Sequence, residues 1–221
     1  MSWVLANLPT IAGHLLAHLL QAVPAIVASF VLAIPIARLA RVARPLRAVL
    51  VTGSSLLYAV PSLALFVILP IILATGIRDP LNVIVALTLY GLALLVPATA
   101  DALDAVDARV LDAATAMGMG RLRCFLTVEL PLAGPAILTG LRVVTVSTIS
   151  LTTVGAVLGV RSLGWLFTDG FQRGITAEIV TGLVATAALA LVLDGLVLAL
   201  GRLCLPWTWK RAGDAGAVPA G

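Results

Sequence analysis

Lysine is nearly absent: Lys210 is the only one in 221 residues. No G-x-x-x-x-G-K-[ST] occurs, so the chain cannot supply a lysine-bearing loop that cradles nucleotide phosphates. Charge is scarce too, at 11% against 61% hydrophobic residues, where a soluble domain carries about 25% charged residues. Aromatics make up 5%, too few for base stacking. The formal charge of +4 and pI near 9.8 come from arginines strung along loops, with no basic stripe, so nucleic acid is not the expected partner. The two cysteines, Cys124 and Cys204, offer neither a disulfide framework nor a metal spacing. No HExxH, no G-x-S-x-G and no cluster of carboxylates at metal-ligand spacing is present, which argues against an enzyme. No Lys or Arg precedes Arg38, so no basic leader is read and the first apolar run is expected to stay in the mature protein.

Long apolar runs fill the space left by these absences. Five are read as membrane spans, at about 12–37, 48–75, 81–100, 136–158 and 177–203, since about 20 residues cross a bilayer core as a helix. The expected fold is therefore all-α and polytopic, a single transmembrane domain over residues 1–211 with a disordered tail at 212–221. Arg38, Arg41, Arg44 and Arg47 follow span one, Arg109, Arg121, Arg123 and Arg142 lie in or beside the loop after span three, and Arg202, Lys210 and Arg211 follow span five. The other side holds Arg78, Arg161 and Arg173. The excess of basic residues puts the N-terminus outside and the C-terminus in the cytoplasm. Pro24, Pro35, Pro61, Pro70 and Pro97 invite kinks, and Gly155 and Gly159 stand at helix-packing spacing.

The polar loop at about 101–135 is the most specific stretch. Asp101, Asp104 and Asp107 recur every third residue and would line one helical face. Small residues follow at Ala113, Ala114 and Ala116, then Gly118 and Gly120 for a sharp turn, Arg121 and Arg123, and Pro131 and Pro135 at the re-entry into span four. Read in register, Asp112-Ala113-Ala114, three residues, Gly118, nine residues, Val128-Glu129-Leu130-Pro131 resembles the "EAA" loop of bacterial ABC-importer permeases. Asp112 and Val128 replace the usual Glu and Ile. The stretches AVPSLALFVILP at 59–70 and ALTLYGLALLVPATADAL at 86–103 resemble the subgroup that carries glycine betaine, carnitine or choline.

That resemblance implies a type I ABC-importer permease fold in the bacterial inner membrane. It implies that Asp112, Ala113, Ala114, Gly118, Gly120, Arg121, Leu130 and Pro131 form the ATPase-coupling loop. Implied partners are two copies of an ABC ATPase, a second permease of the same or a related chain, an extracytoplasmic solute-binding protein and membrane lipid. ATP and Mg would then bind the ATPase, with no cofactor on this chain. A related importer for another small solute, or a non-ABC carrier, is the alternative.

Further candidates come from the spans themselves. Pro61, Ser62, Tyr90, Ser147 and Thr148 are named as pathway-lining residues, in keeping with the resemblance. Asp194 lies inside span five, where a carboxylate is costly unless partnered, and Arg142 is the partner considered; a plain helix contact is the equal alternative. His14 and His18 share a helical face but lack a third ligand, so packing is favoured over metal. Trp165, Phe167 and Phe171 are candidates for docking or the membrane interface.

Overall fold

The computed structural model describes residues 2–42 and 44–207. The expectations about the 212–221 tail, and about Lys210 and Arg211, lie outside the described residues. In chain order the helices are α1 (Ser2–Ala6), α2 (Leu8–Val42), α3 (Arg44–Tyr58), α4 (Ser62–Leu73), α5 (Pro80–Asp104), α6 (Ala108–Ala116), α7 (Arg121–Cys124), α8 (Leu130–Thr152), α9 (Trp165–Arg173) and α10 (Thr176–Cys204). A π-helical turn, Phe125–Glu129, joins α7 to α8, and a 3-10 segment, Thr153–Leu158, continues α8. The described residues contain no strand. Membrane crossing by length and apolarity fits α2, α5, the run Arg121–Leu158 and α10, with the bent pair α3 and α4 as a fifth.

α5 is the central post. Asn82, Ala86, Leu87, Ala93, Leu95, Val96, Ala100 and Leu103 are buried along it. α2 packs on it through small residues: Ala22, Ala25, Ser29, Ala33, Ala37 and Ala40 are all fully buried. Without a hydrophobic drive between helices in lipid, such residues allow the backbones to approach closely and gain dispersion contact. A Cβ added at Gly91 would overlap Ser29, whose hydroxyl donates to the Ala25 carbonyl at 2.7 Å and the Thr88 carbonyl at 3.2 Å. Above and below this seam lie two apolar clusters, one with Leu65, Phe66, Leu69 and Leu87, the other with Leu103, Phe125 and Ile137.

The second span is not the straight helix expected over 48–75. It breaks at residues 59–61 into α3 and α4, bent by 110°. Pro61 has no N–H and pushes the residue before it out of the helical region. Its own backbone turns extended, with ψ 127°. Neither half crosses alone: 15 and 12 residues span only about 22 and 18 Å. The fourth span also differs, because its helix starts at Arg121 rather than near 136 and carries the π-turn just before Pro131. Leu130 donates its N–H to the Phe125 carbonyl, a five-residue step. The glycine pair splits its roles: buried Gly155 lies against Val83, whereas Gly159 has φ +80° and ends the 3-10 segment.

Candidate functional site

The loop between α5 and α8 is built around a short helix fixed at both ends. α5 stops at Asp104, and Asp107 caps α6, its carboxylate accepting from the Arg109 N–H at 2.9 Å. Asp101, Asp104 and Asp107 therefore do not share a helical face as the spacing suggested, because the helix ends between them. The Arg109 side chain closes on Asp107 at 2.7 Å, and these donors hold the Asp107 carboxyl below its ordinary range. At the other end, Gly118 N–H donates to the Thr115 carbonyl at 2.9 Å and Met119 N–H to the Ala114 carbonyl at 3.2 Å. With Gly118 at φ +82°, this is a Schellman termination, which needs a left-handed residue just past the helix. Gly120 has φ −65° and ψ 154° and leads into α7, so the turn belongs to Gly118 and not to both glycines.

Little of α6 is covered by its own chain. Ala114 is its buried residue, while Asp112, Ala113 and Ala116 are exposed. Val110, Met117, Leu122 and Leu126 expose between 42% and 72% of their surface, apolar side chains left uncovered by the rest of the chain. Leu130 and Pro131 are half-buried where α8 begins.

An ion-pair cluster anchors this loop to the spans. Arg41, at the end of α2, reaches Asp104 at 3.3 Å and also pairs with Glu129 of the π-turn. Arg47 reaches the other Asp104 oxygen at 2.5 Å. The Arg38 guanidinium sits 4.0 Å above the Phe125 ring, a cation–π contact. A cavity of about 430 Å³ opens between them, lined by Arg38, Arg41, Thr115, Met119, Arg121 and Glu129. By sequence, Arg38, Arg41 and Arg47 bear on topology alone. Arg41 near the end of α2 and Arg47 on α3 converge on Asp104 only because the two helices meet at a break, and a run of arginines with acids in a later loop was the one signal available.

The candidate lining residues fall into two places. At the break in the second span, the Tyr90 hydroxyl donates to the Val60 carbonyl at 2.5 Å, and Tyr58 meets Tyr90 edge-on with ring centroids 6.0 Å apart; Pro61 and half-buried Ser62 start α4 there. Ser147 lies elsewhere, on a cavity of about 390 Å³ with Thr139, Arg142, Val143, Val146 and Asp194. Thr148 is buried, its carbonyl accepting from the Thr152 hydroxyl at 2.7 Å. Arg142 and Asp194 form a two-pronged pair, Nε to Oδ1 at 2.8 Å and Nη2 to Oδ2 at 2.6 Å.

The end of the bundle opposite α6 gathers the remaining candidates. His14 stacks on Trp165 with centroids 6.0 Å apart. His18 Nδ1 accepts from the Leu163 N–H at 3.4 Å. Gln21 donates to the Arg161 carbonyl at 2.7 Å, so one face of α2 holds the 161–165 loop. Phe167 is half-buried and Phe171 80% exposed on α9.

Known proteins match this architecture. The sequence profile of the family described as "binding-protein-dependent transport system inner membrane component" matches residues 25–209. The chain is 33% identical over 151 residues to the ergothioneine transport permease/ergothioneine binding protein EgtU of Helicobacter pylori, covering 68% of this chain but only 27% of that longer protein. It is 28% identical over 195 residues to the glycine betaine/carnitine/choline transport system permease protein OpuCD of Bacillus subtilis, covering 88% of this chain and 84% of that one. In fold it is similar to a chain of the inward-facing MetNI methionine ABC transporter, with TM-score 0.77, 20% identity and coverage of 88% and 95%.

Proposed function

We propose, for a chain that belongs to the family of binding-protein-dependent transport system inner membrane components, that it is the permease through which an ATP-driven importer moves compatible solutes of the glycine betaine, choline and carnitine kind. As a member of that family it is a transport component and not a catalytic subunit. The solute class rests on the likeness to OpuCD over most of both chains.

The observation that carries the mechanism is the exposed α6, capped at Asp107 and terminated at Gly118, with the D-A-A to V-E-L-P spacing running through it. A helix fixed at both ends and covered on little of its surface can be gripped by a partner and moved as a unit. In this reading two ATPase subunits receive residues 112–120 in a cleft, and ATP with Mg binds there rather than on this chain. Closure of the ATPases displaces α6, and Arg41, holding Asp104 and Glu129, passes the displacement to α2, α5 and α8. A second permease, same or related, completes the pathway, and an extracytoplasmic binding protein delivers the solute. The N-terminus lies outside and the C-terminus in the cytoplasm, as the excess of arginine on the α6 side supports. The two states differ in what the ATPases hold, which is what lets nucleotide shift their populations.

The test is uptake of labelled glycine betaine, choline and carnitine at high osmolarity by cells lacking this chain. The native chain restores energy-dependent uptake, and Gly118→Asp does not at equal membrane level. Normal transport by Gly118→Asp overturns the coupling role. Failure of the native chain on all three solutes overturns the solute class and turns the search to other small solutes.

A further inference from the structure

We infer that the Arg142–Asp194 pair is the recognition element for solute inside the membrane, opening to take a zwitterion with Arg142 on its carboxylate and Asp194 on its quaternary ammonium. This rests on the proposed solute class and adds where, and by which charges, such a solute is held.

The first reason is depth. Arg142 lies twelve residues beyond Leu130, and Asp194 ten residues before Cys204, about 18 and 15 Å along their helices at 1.5 Å per residue. Both fall inside apolar runs long enough to cross a membrane, Arg121–Leu158 and Thr176–Cys204. Ionised groups there are costly and mark solute or ion paths by default.

The second reason is that packing alone does not call for charge here. The α2–α5 seam is closed by Ser29, Gly91 and alanines. The α8–α10 contact elsewhere uses the same device, with Gly201 so close to Leu138 that a Cβ would overlap it. A structural clasp is best when sealed, yet the Arg142 and Asp194 side chains keep 39% and 21% of their surface. They stand in an open depression shared with Thr139, Val143, Val146 and Ser147, accessible from outside the α8–α10 contact.

The third reason is charge balance. The pair is neutral when closed. A zwitterion that inserts its carboxylate against Arg142 and its ammonium against Asp194 keeps every charge partnered and the sum at zero. A lone cation such as choline would satisfy Asp194 but leave Arg142 to water and hydroxyls of the open wall, so it is held more weakly than a zwitterion. Arg suits the carboxylate because its planar fork binds two oxygens at once, the geometry it already makes with Asp194. Thr139 and Ser147 stand on the same wall, three residues before and five after Arg142; the Thr139 hydroxyl already donates to the Pro135 carbonyl. No aromatic lines this cavity, so the ammonium is held by the carboxylate rather than by a ring cage. Glycine betaine, carnitine and ergothioneine all carry both charges, and choline lacks the carboxylate.

The experiment uses the purified importer in lipid nanodiscs with the solute-binding protein left out, so that binding to the membrane part is read directly by saturation-transfer NMR. Glycine betaine binds the native complex saturably and more tightly than choline. Arg142→Leu raises the Kd for glycine betaine by about tenfold or more, the scale of a lost charge-assisted contact, and raises that for choline less. The double variant Arg142→Leu/Asp194→Leu, which leaves no charge unpartnered, reaches the membrane and shows the same loss of glycine betaine. An unchanged Kd in either variant, or a native complex that restores uptake but shows no saturable binding, overturns the inference while the proposed function stands. Absence of the double variant from the membrane also overturns it, because the pair is then a structural clasp. A native chain that restores no uptake of any of the three solutes strikes the proposed function instead.

Discussion

The Tyr90 hydroxyl donates to the Val60 carbonyl at 2.5 Å across the break in the second span. Val60 precedes Pro61 and stands where helix bonding stops, so in lipid its carbonyl needs a partner from another element. Tyr90, itself 4% exposed, supplies it and fixes the bend against α5.

Tyr90→Phe keeps the ring and removes that donor. It is expected to lower the stability of the purified complex by about 1 kcal/mol, the net worth of one hydrogen bond, seen as a lower unfolding midpoint. Uptake should fall with it, because the bend loses its tether. An unchanged midpoint means that water or Ser62 takes over the Val60 carbonyl.

At Gly118 a substituent's Cβ would meet nothing within 4 Å, yet φ is +82°. Any cost is therefore conformational, about 1–2 kcal/mol for an ordinary residue. Gly118→Asn should keep more uptake than Gly118→Val, because Asn visits the left-handed region more readily. Equal uptake by the two variants would show that the turn is not held in the working complex.

Gly164 presents the opposite case: an added Cβ would overlap the Thr153 carbonyl group and Cα. Backbone atoms cannot swing aside, so Gly164→Ala should cost about 1–3 kcal/mol and reduce the amount of chain in the membrane. Uptake per molecule should stay near native. Immunoblotting of membranes alongside uptake separates the two effects.

Glu129→Gln weakens the bond from the π-turn to Arg41. Both side chains keep some exposure, 14% and 28%, so the pair is worth about 1 kcal/mol at most. The larger expected effect is on coupling, read as ATP hydrolysed per solute moved. Because Arg41 also holds Asp104, Arg41→Met should raise that ratio more than Glu129→Gln, and the double variant should equal Arg41→Met alone. Additive effects would show that Arg41 and Glu129 act separately.

Asp107 caps α6 while ionised. Its folded carboxyl titrates below the ordinary aspartate value because Arg109 holds the anion through side chain and backbone. The cap is thus fully present above that ordinary value and is lost as pH falls through the lower folded one. Asp107→Ser keeps a capping oxygen without the titration, whereas Asp107→Ala loses the cap at every pH. Hydrogen exchange in α6 should be fast in Asp107→Ala and slow in both other forms at neutral pH.

Composition and local pattern alone determined that this chain is a bundle of membrane helices, because apolar runs of bilayer length have few other solutions. The local pattern also set Gly118 at the turn, since a Schellman termination needs a residue free to adopt positive φ at one position. Tertiary structure decided what depends on a partner distant in the chain. It split 48–75 at Pro61, where Tyr90 donates to the freed Val60 carbonyl, and moved the start of the fourth helix back to Arg121. It separated Ser147 from Pro61 and Tyr90, and it ended α5 so that Asp104 turned toward Arg41 and Arg47 while Asp107 became a cap. Arg142 and Asp194 lie 52 residues apart, and sequence could name them as a pair but not give the fork geometry. Helical periodicity fixes a residue's face only within its own helix. Which faces meet is set by the packing of small residues between helices, and that is a property of the assembled bundle.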